Sequence, residues 1–199
     1  MEALVLPGVL MGYRLISEGD EHALLREERE AFASSVARVR RASGAARIVA
    51  RELLESLGHS QQAIPKSASG APVWPGEVVG SLAHDAAVAV AAVALRHDYS
   101  GLGIDVEPNE PLDRDLVAIV ATAAERRRIC DDPLRARLLF AVKEAVYKAV
   151  YPLDRRFLEH HDVDVCLNTC KALVQGGRVI NFRVSTATHI VALATVPPA

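Results

Sequence analysis

The stretch Phe140–Pro152, "FAVKEAVYKAVYP", carries an apolar stripe and a dense polar set together. Positions 138, 142, 145 and 149 (Leu, Val, Ala, Ala) recur at helical spacing, and Leu139 and Val146 widen the stripe. The spacing predicts a helix over 134–150, with Pro152 forbidding its continuation. Residues four apart are neighbours on a helix, so Glu144 and Lys148 share a side with Phe140. Lys143 lies about a third of a turn away. One such pair is ordinarily a surface ion pair worth about a few tenths of a kcal/mol. What sets this helix apart is its company: a third carboxylate, two lysines and a tyrosine, on a helix whose orientation the stripe fixes.

Upstream, "GLGIDVEP" reads as a strand closed by Pro108. Alternation along a strand puts Asp105 and Glu107 on one face, Ile104 and Val106 on the other. Two carboxylates on one face repel unless a cation lies between them, either a hard divalent ion or basic side chains. By itself the pair is an ordinary solvated strand face. A third element, "GSLAHD", places Ser81 and His84 just ahead of a continuous apolar run, Ala86–Leu95, read as a buried strand. Lys66 lies in "KSASGAPVWP", and Arg38, Arg40, Arg41, Arg47 and Arg51 crowd "ARVRRASGAARIVAR". Charge runs are usually solvated helix faces. Guanidinium forks also match phosphate oxygens, which makes a phosphate clamp the functional reading. Three acids for a metal, a lysine beside them and a separate basic set suit a ligand with a pyrophosphate and a distant third phosphate. Coenzyme A has that anatomy.

The rest of the chain frames these elements. Residues 21–41 read as one helix, Gly44 as an interruption, and "AARIVARELLESLG" as a second helix ending at Gly58. Residues 115–130 read as helix. The tail alternates strands and turns, with a hairpin at Gly176–Gly177. "SLAHDAAVAVAAV" echoes "STATHIVALATV", and each half has helix before strands. The expected fold is α+β: a pseudo-twofold monomer of two similar lobes, residues 1–100 and 101–199. Each lobe is a small antiparallel sheet packed with helices, with the active site in the cleft between them.

At 199 residues and half hydrophobic, the chain can bury a core, and 24% charged residues argue against disorder. A net charge of −2 supplies no basic field for nucleic acid or an anionic membrane. Three cysteines without CxxC spacing suggest neither a disulfide framework nor a zinc site. The N-terminal stretch lacks the pattern of a signal peptide, and the longest apolar run is too short to span a bilayer. A cytoplasmic location is the expectation.

Three blocks, "GAPVWPGEVVGSLAHD", "GLGIDVEP" and "FAVKEAVYKAVYPL", resemble the 4'-phosphopantetheinyl transferases of the surfactin/enterobactin-synthetase type. The likeness is to the bacterial branch serving siderophore, polyketide and nonribosomal peptide synthases, and it covers residues from about 40 to 155. The resemblance implies that Asp105, Glu107 and Glu144 hold Mg²⁺ against the pyrophosphate of coenzyme A. It implies phosphate contacts for Lys148 and Lys143, and a 3'-phosphate or adenosine contact for Arg47, Lys66 and His84. Arg40 and Arg41 compete for one further place in that set, and Ser81 lies beside it. The implied reaction moves phosphopantetheine to a serine of an acyl, peptidyl or aryl carrier protein and releases 3',5'-ADP. Glu144 is the candidate base and Lys148 neutralises the leaving side. Residues 115–137, with Arg126, Arg127, Arg128, Arg135 and Arg137, are the expected face for an acidic carrier helix. The chain departs from relatives at Ala83, where Ser or Thr is common, and at Asp85, where Cys or Ser is familiar. The alternatives are a non-catalytic coenzyme A or carrier-binding module and a Mg²⁺-dependent phosphodiesterase.

Overall fold

The computed structural model describes residues 4–198; the first three residues of the N-terminal stretch and Ala199 lie outside them. Its organising contact is between strand β4 (Gly101–Pro108) and helix α5 (Pro133–Asp154). Here the two backbones meet directly. A Cβ on Gly103 would stand 1.9 Å from the carbonyl oxygen of Ala145, and one on Gly101 would stand 2.3 Å from that of Ala149. No residue with a side chain allows this approach, so the two glycines of "GLGIDVEP" seat the helix on the strand. Asp105 and Glu107 continue the same face, beyond the glycines.

Two antiparallel sheets carry the chain. The first has the order β1-β3-β2, built from β1 (Val9–Leu15), β2 (Val78–His84) and β3 (Val88–Leu95). The second has the order β4-β8-β7-β6-β5, with β5 (Val163–Cys166), β6 (Lys171–Val174), β7 (Val179–Thr186) and β8 (His189–Val196). The two share one connectivity. A strand leads into a long helix, a hairpin follows, and the hairpin's second strand pairs with the first strand. In the first sheet this runs β1, α2 (Ala37–Ser56), β2, β3; in the second it runs β4, α5, β7, β8, with β5 and β6 added. The faint sequence echo falls on the two equivalent hairpins. The architecture is α+β, as expected.

Helix α2 packs Val49, Ala50 and Leu54 against Ala91, Val93 and Val78. The opposite face of β3, with Val88, Val90, Ala92 and Ala94, packs against Leu102, Ile104, Val106 and Leu193 of the second sheet. β3 is therefore covered on both faces, which is why it reads as an unbroken apolar run. Helix α5 covers the other side of the second sheet, with Val142, Ala145, Val146 and Ala149 against Ala192, Ala194, Ile180 and Phe182.

Several expected boundaries shift. Residues 21–41 are not one helix: a 3₁₀ turn (Asp20–Ala23), a short α1 (Arg26–Arg29) and a second 3₁₀ turn (Glu30–Phe32) precede α2. Gly44 does not interrupt α2. A Cβ there would lie 1.9 Å from the Asp20 carbonyl oxygen, so the glycine admits the crossing turn instead of breaking the helix. Residues 115–130 form two helices, α3 (Arg114–Val120) and α4 (Ala123–Ile129), because Thr122 caps α4 through Glu125 N. Pro152 lies inside the last turn of α5, where a single ladder bond is lost, and the helix ends at Arg155 with φ 53°. The hairpin at Gly176–Gly177 is present, with both glycines at positive φ. Among the described residues no helix is long and apolar enough to cross a membrane.

Candidate active site

The acids come from the two packed elements: Asp105 and Glu107 from β4, Glu144 from α5. Lys148 Nζ donates to Asp105 Oδ1 at 2.7 Å and to the Ile104 carbonyl at 3.2 Å. Arg137 Nη1 donates to Glu107 Oε2 at 2.8 Å. Asp105 is buried, the Val106 backbone N–H favours its charged form, and its second oxygen, Oδ2, has no hydrogen-bond partner among the described residues. A buried carboxylate oxygen without a donor is costly and marks a place for a cation or a donor from outside. Glu144 is about one-third exposed at 31%, with His160 Nδ1 4.0 Å away. Burial raises the pKa of Asp105, Glu107 and Glu144, and the Asp105 charge raises that of the other two further. Asp105 thus lies within electrostatic reach of both Glu107 and Glu144.

They do not form a finished cage: among the described residues no three His, Cys, Asp or Glu side chains are grouped to hold a metal. Arg137 engages Glu107 and Lys148 engages Asp105. Mg²⁺ is a hard ion that commonly takes one or two carboxylates and completes its shell with water and substrate phosphates. Hard oxygen donors, the unpartnered Asp105 Oδ2 and the nearby Glu144 fit that requirement.

Lys143 is not part of this cleft, contrary to the expectation of a phosphate contact. It is 1% exposed and faces the rear of α5. Its ammonium donates to Glu125 Oε2 at 2.7 Å and to the Val120 and His160 carbonyls at 2.9 and 2.7 Å. All three donors are spent. Glu125 also accepts from Thr122 N and Val165 N, so this pair ties α4, α5 and β5 together.

The basic set gathers on the first sheet's side. Arg47 is buried and donates through Nε to the Ile64 carbonyl at 2.9 Å and through Nη1 to that of Ser43 at 3.3 Å. Glu28 Oε1 lies 3.7 Å from Arg47 Nε and 3.0 Å from Arg51 Nη1. Arg47 and Lys66 both lie over the Phe32 ring. Burial lowers the pKa of Lys66, and the Arg47 charge lowers it further. His84 keeps solvent access, yet surrounding protein lowers its pKa, as do the Lys148 and Lys66 charges. Arg47, Lys66, His84, Lys148 and Asp105 therefore form a chain of electrostatic neighbours. Arg41 leaves this set: it forks onto Glu21 at 3.1 and 3.4 Å and holds that carboxyl at about 2. Arg40, seven residues before Arg47, shares its helix side and donates to the Ser35 carbonyl. Asp85 is held by its own turn and by His189 of β8. It accepts from Ala87 N and Val88 N and stands 3.1 Å from His189 Nε2.

A cavity of 540 Å³ adjoins the acid cluster at Lys148 and is lined by Trp74, Ser81, Leu102, Tyr147, Lys148 and Tyr151, among others. Ser81 reaches it as a buried residue of β2. Lys148 belongs both to this wall and to the acid cluster. Sequence reasoning missed Glu28, Phe32 and Glu125, which sit in charged or alanine-rich runs without periodic signal. For Trp74 the one signal in the sequence is that it is the single tryptophan, next to Pro75.

Fold and site define a two-sheet α+β protein with a carboxylate cluster on β4 and α5 and a basic set on the first sheet's side, linked electrostatically through Lys148 and His84. Residues 27–94 match the 4'-phosphopantetheinyl transferase N-terminal domain, and residues 101–193 match the 4'-phosphopantetheinyl transferase superfamily. The chain is 36% identical over 164 residues to 4'-phosphopantetheinyl transferase Npt of Nocardia iowensis, covering 81% of this chain and 74% of that protein. It is 36% identical over 149 residues to PptT of Mycobacterium tuberculosis, covering 73% and 66%. Over 96 residues it is 34% identical to enterobactin synthase component D of Escherichia coli, covering 45% of each. The chain belongs to the 4'-phosphopantetheinyl transferase superfamily, a family of transferase enzymes.

Proposed function

We propose that this enzyme transfers 4'-phosphopantetheine from coenzyme A to a serine of an acyl, peptidyl or aryl carrier protein, in a Mg²⁺-dependent reaction that releases 3',5'-ADP. The observation that carries the reading is the buried Asp105, bonded through one oxygen to Lys148, with the other unpartnered among the described residues and Glu144 within electrostatic reach. Asp105, Glu144 and Glu107 would hold Mg²⁺. When bound, the ion neutralises pyrophosphate oxygens and takes up charge that develops during transfer. Lys148 carries positive charge at the leaving side, and its bond to Asp105 keeps the ammonium aimed there.

Glu144 is the candidate base for the attacking serine, directly or through a water: burial raises its proton affinity in the metal-free protein, and coordination to Mg²⁺ would lower it again. Arg47, Lys66, His84 and Arg40 grip the 3'-phosphate end, while the cavity beside Tyr147 and Trp74 takes the pantetheine arm. For the carrier, α3, α4 and the start of α5 expose Leu116, Ile119 and Leu134 among Arg127 and Arg135. Apolar contacts ringed by guanidinium groups suit an acidic amphipathic helix. Arg128 and Arg137 are engaged by Asp164 and Glu107, so the exposed arginines take the larger share of docking.

The test is incubation with coenzyme A, Mg²⁺ and a panel of apo carrier domains, read by intact mass. Gain of one phosphopantetheine group supports transfer. Binding of coenzyme A without mass gain on any carrier would support the non-catalytic module, and carrier-independent cleavage of diesters would support a phosphodiesterase.

A further inference from the structure

Phe32 is 1% exposed, yet it joins none of the apolar clusters that form the core of the described residues. It closes the 3₁₀ turn ahead of α2. Its ring carries two cations instead: the Arg47 guanidinium carbon is 5.0 Å from the ring centroid and Lys66 Nζ is 4.2 Å from it. These two groups repel each other. The nearest buried acid, Glu28, is shared with Arg51, which it meets more closely than Arg47. A carboxylate in place of Phe32 would neutralise the cations and compete with an arriving phosphate. An aromatic face attracts cations through its quadrupole without occupying their hydrogen-bond donors. Donors held in place before the ligand arrives spare it the cost of ordering them.

We propose that Phe32 is the positioning residue of the anion clamp: its ring holds Arg47 and Lys66 together, aimed at a terminal phosphate monoester, and so sets the preference for a nucleotide substrate bearing that phosphate over one ending in a hydroxyl. The proposal rests on the reading of Arg47 and Lys66 as the 3'-phosphate clamp. Phe32 touches no reacting atom; it acts through the two cations.

The experiment compares kcat/KM for coenzyme A with that for 3'-dephospho-coenzyme A. It uses the unmodified enzyme, Phe32→Tyr, Phe32→Leu, and an enzyme with 3,4,5-trifluorophenylalanine at position 32. The fluorinated ring nearly keeps shape and apolar character while its face loses negative potential, so it decides the matter even if Phe32→Leu fails to fold. The coenzyme A preference should fall about three- to thirtyfold with the fluorinated ring, the range cation–π contacts support, and persist with Tyr. A purely structural role for Phe32 would not move this ratio. If the fluorinated enzyme keeps the full preference while Arg47→Ala and Lys66→Ala lose it, the Phe32 proposal is overturned and the clamp stands. If the unmodified enzyme uses both substrates equally well, the clamp reading fails and the proposal with it.

Discussion

Replacing Gly103 by alanine tests whether the β4–α5 contact sets the site. The new Cβ would sit 1.9 Å from the Ala145 carbonyl oxygen and 2.6 Å from Ala149 N, both backbone atoms with no rotamer to yield. Ordinary contact begins near 3.4 Å, so the helix must retreat by about 1.5 Å. That would stretch the 2.7 Å bond from Lys148 to Asp105 past hydrogen-bonding range. Overpacking of this kind costs about 1–3 kcal/mol, and a rigid backbone clash falls at the upper end. At about 2–4 °C per kcal/mol for a chain this size, the Tm should drop by roughly 6–12 °C. A misplacement near 1 Å lowers turnover on the order of 100-fold, so transfer at saturating coenzyme A should fall by that much at a temperature where the variant is folded. Gly76→Ala is the control, since a Cβ there meets nothing within 4 Å and the residue has no positive φ. Thermal melts and intact-mass kinetics provide the readouts. A Gly103→Ala enzyme that melts within a degree of the parent and transfers at the parent rate would refute the reasoning.

Other substitutions separate the remaining roles. Glu144→Gln removes a charge that burial disfavours, so it should hold or raise the Tm at pH 7 while transfer falls below detection; retained transfer would remove Glu144 from the chemistry. Lys143→Met leaves the buried Glu125 without its cation and should cost about 3–5 kcal/mol, seen as a large fall in denaturation midpoint; an unchanged midpoint would contradict a structural role. Arg41→Ala should leave the coenzyme A KM within about twofold, while Arg47→Ala raises it about tenfold or more, the scale of a lost charge-assisted phosphate contact. Native Asp105, Glu107 and Glu144 bind protons more tightly than they do in the unfolded chain, so without Mg²⁺ these groups lower stability as pH rises above the ordinary carboxylate range. Added Mg²⁺ should therefore raise the Tm more at pH 8 than at pH 5; equal shifts at both would count against the ion binding these acids.

Much of the second sheet and its helix was legible because strong local patterns agreed with the fold. The alternation of "GIDVEP" put both acids on one face, and the α5 stripe put Glu144 and Lys148 opposite the core. What stayed illegible depended on contacts distant in sequence. Gly44 looks like a helix breaker until the Asp20 carbonyl is seen crossing it. Lys143 and Lys148 both face away from the apolar stripe in a helical projection, yet one reaches Glu125 behind the helix and the other Asp105 in front. Spacing along one helix cannot say which neighbour waits on each side. Arg41 was likewise indistinguishable from Arg40 until Glu21, twenty residues away, was found holding it. β1, with its edge position and mixed burial, gave no period that identified it.

The shared connectivity of the two sheets has a consequence for how a substrate can enter. A cleft between like halves would accept an elongated molecule in either of two opposed orientations. Here the halves are electrically unlike: the first sheet's side gathers Arg47, Lys66 and His84, the second Asp105, Glu107 and Glu144 with Lys148 and Arg137 among them. A substrate with a bare phosphate at one tip and a bridged diphosphate further along would satisfy both sides in only one orientation, so the difference between the halves would give the cleft a polarity, a head and a tail.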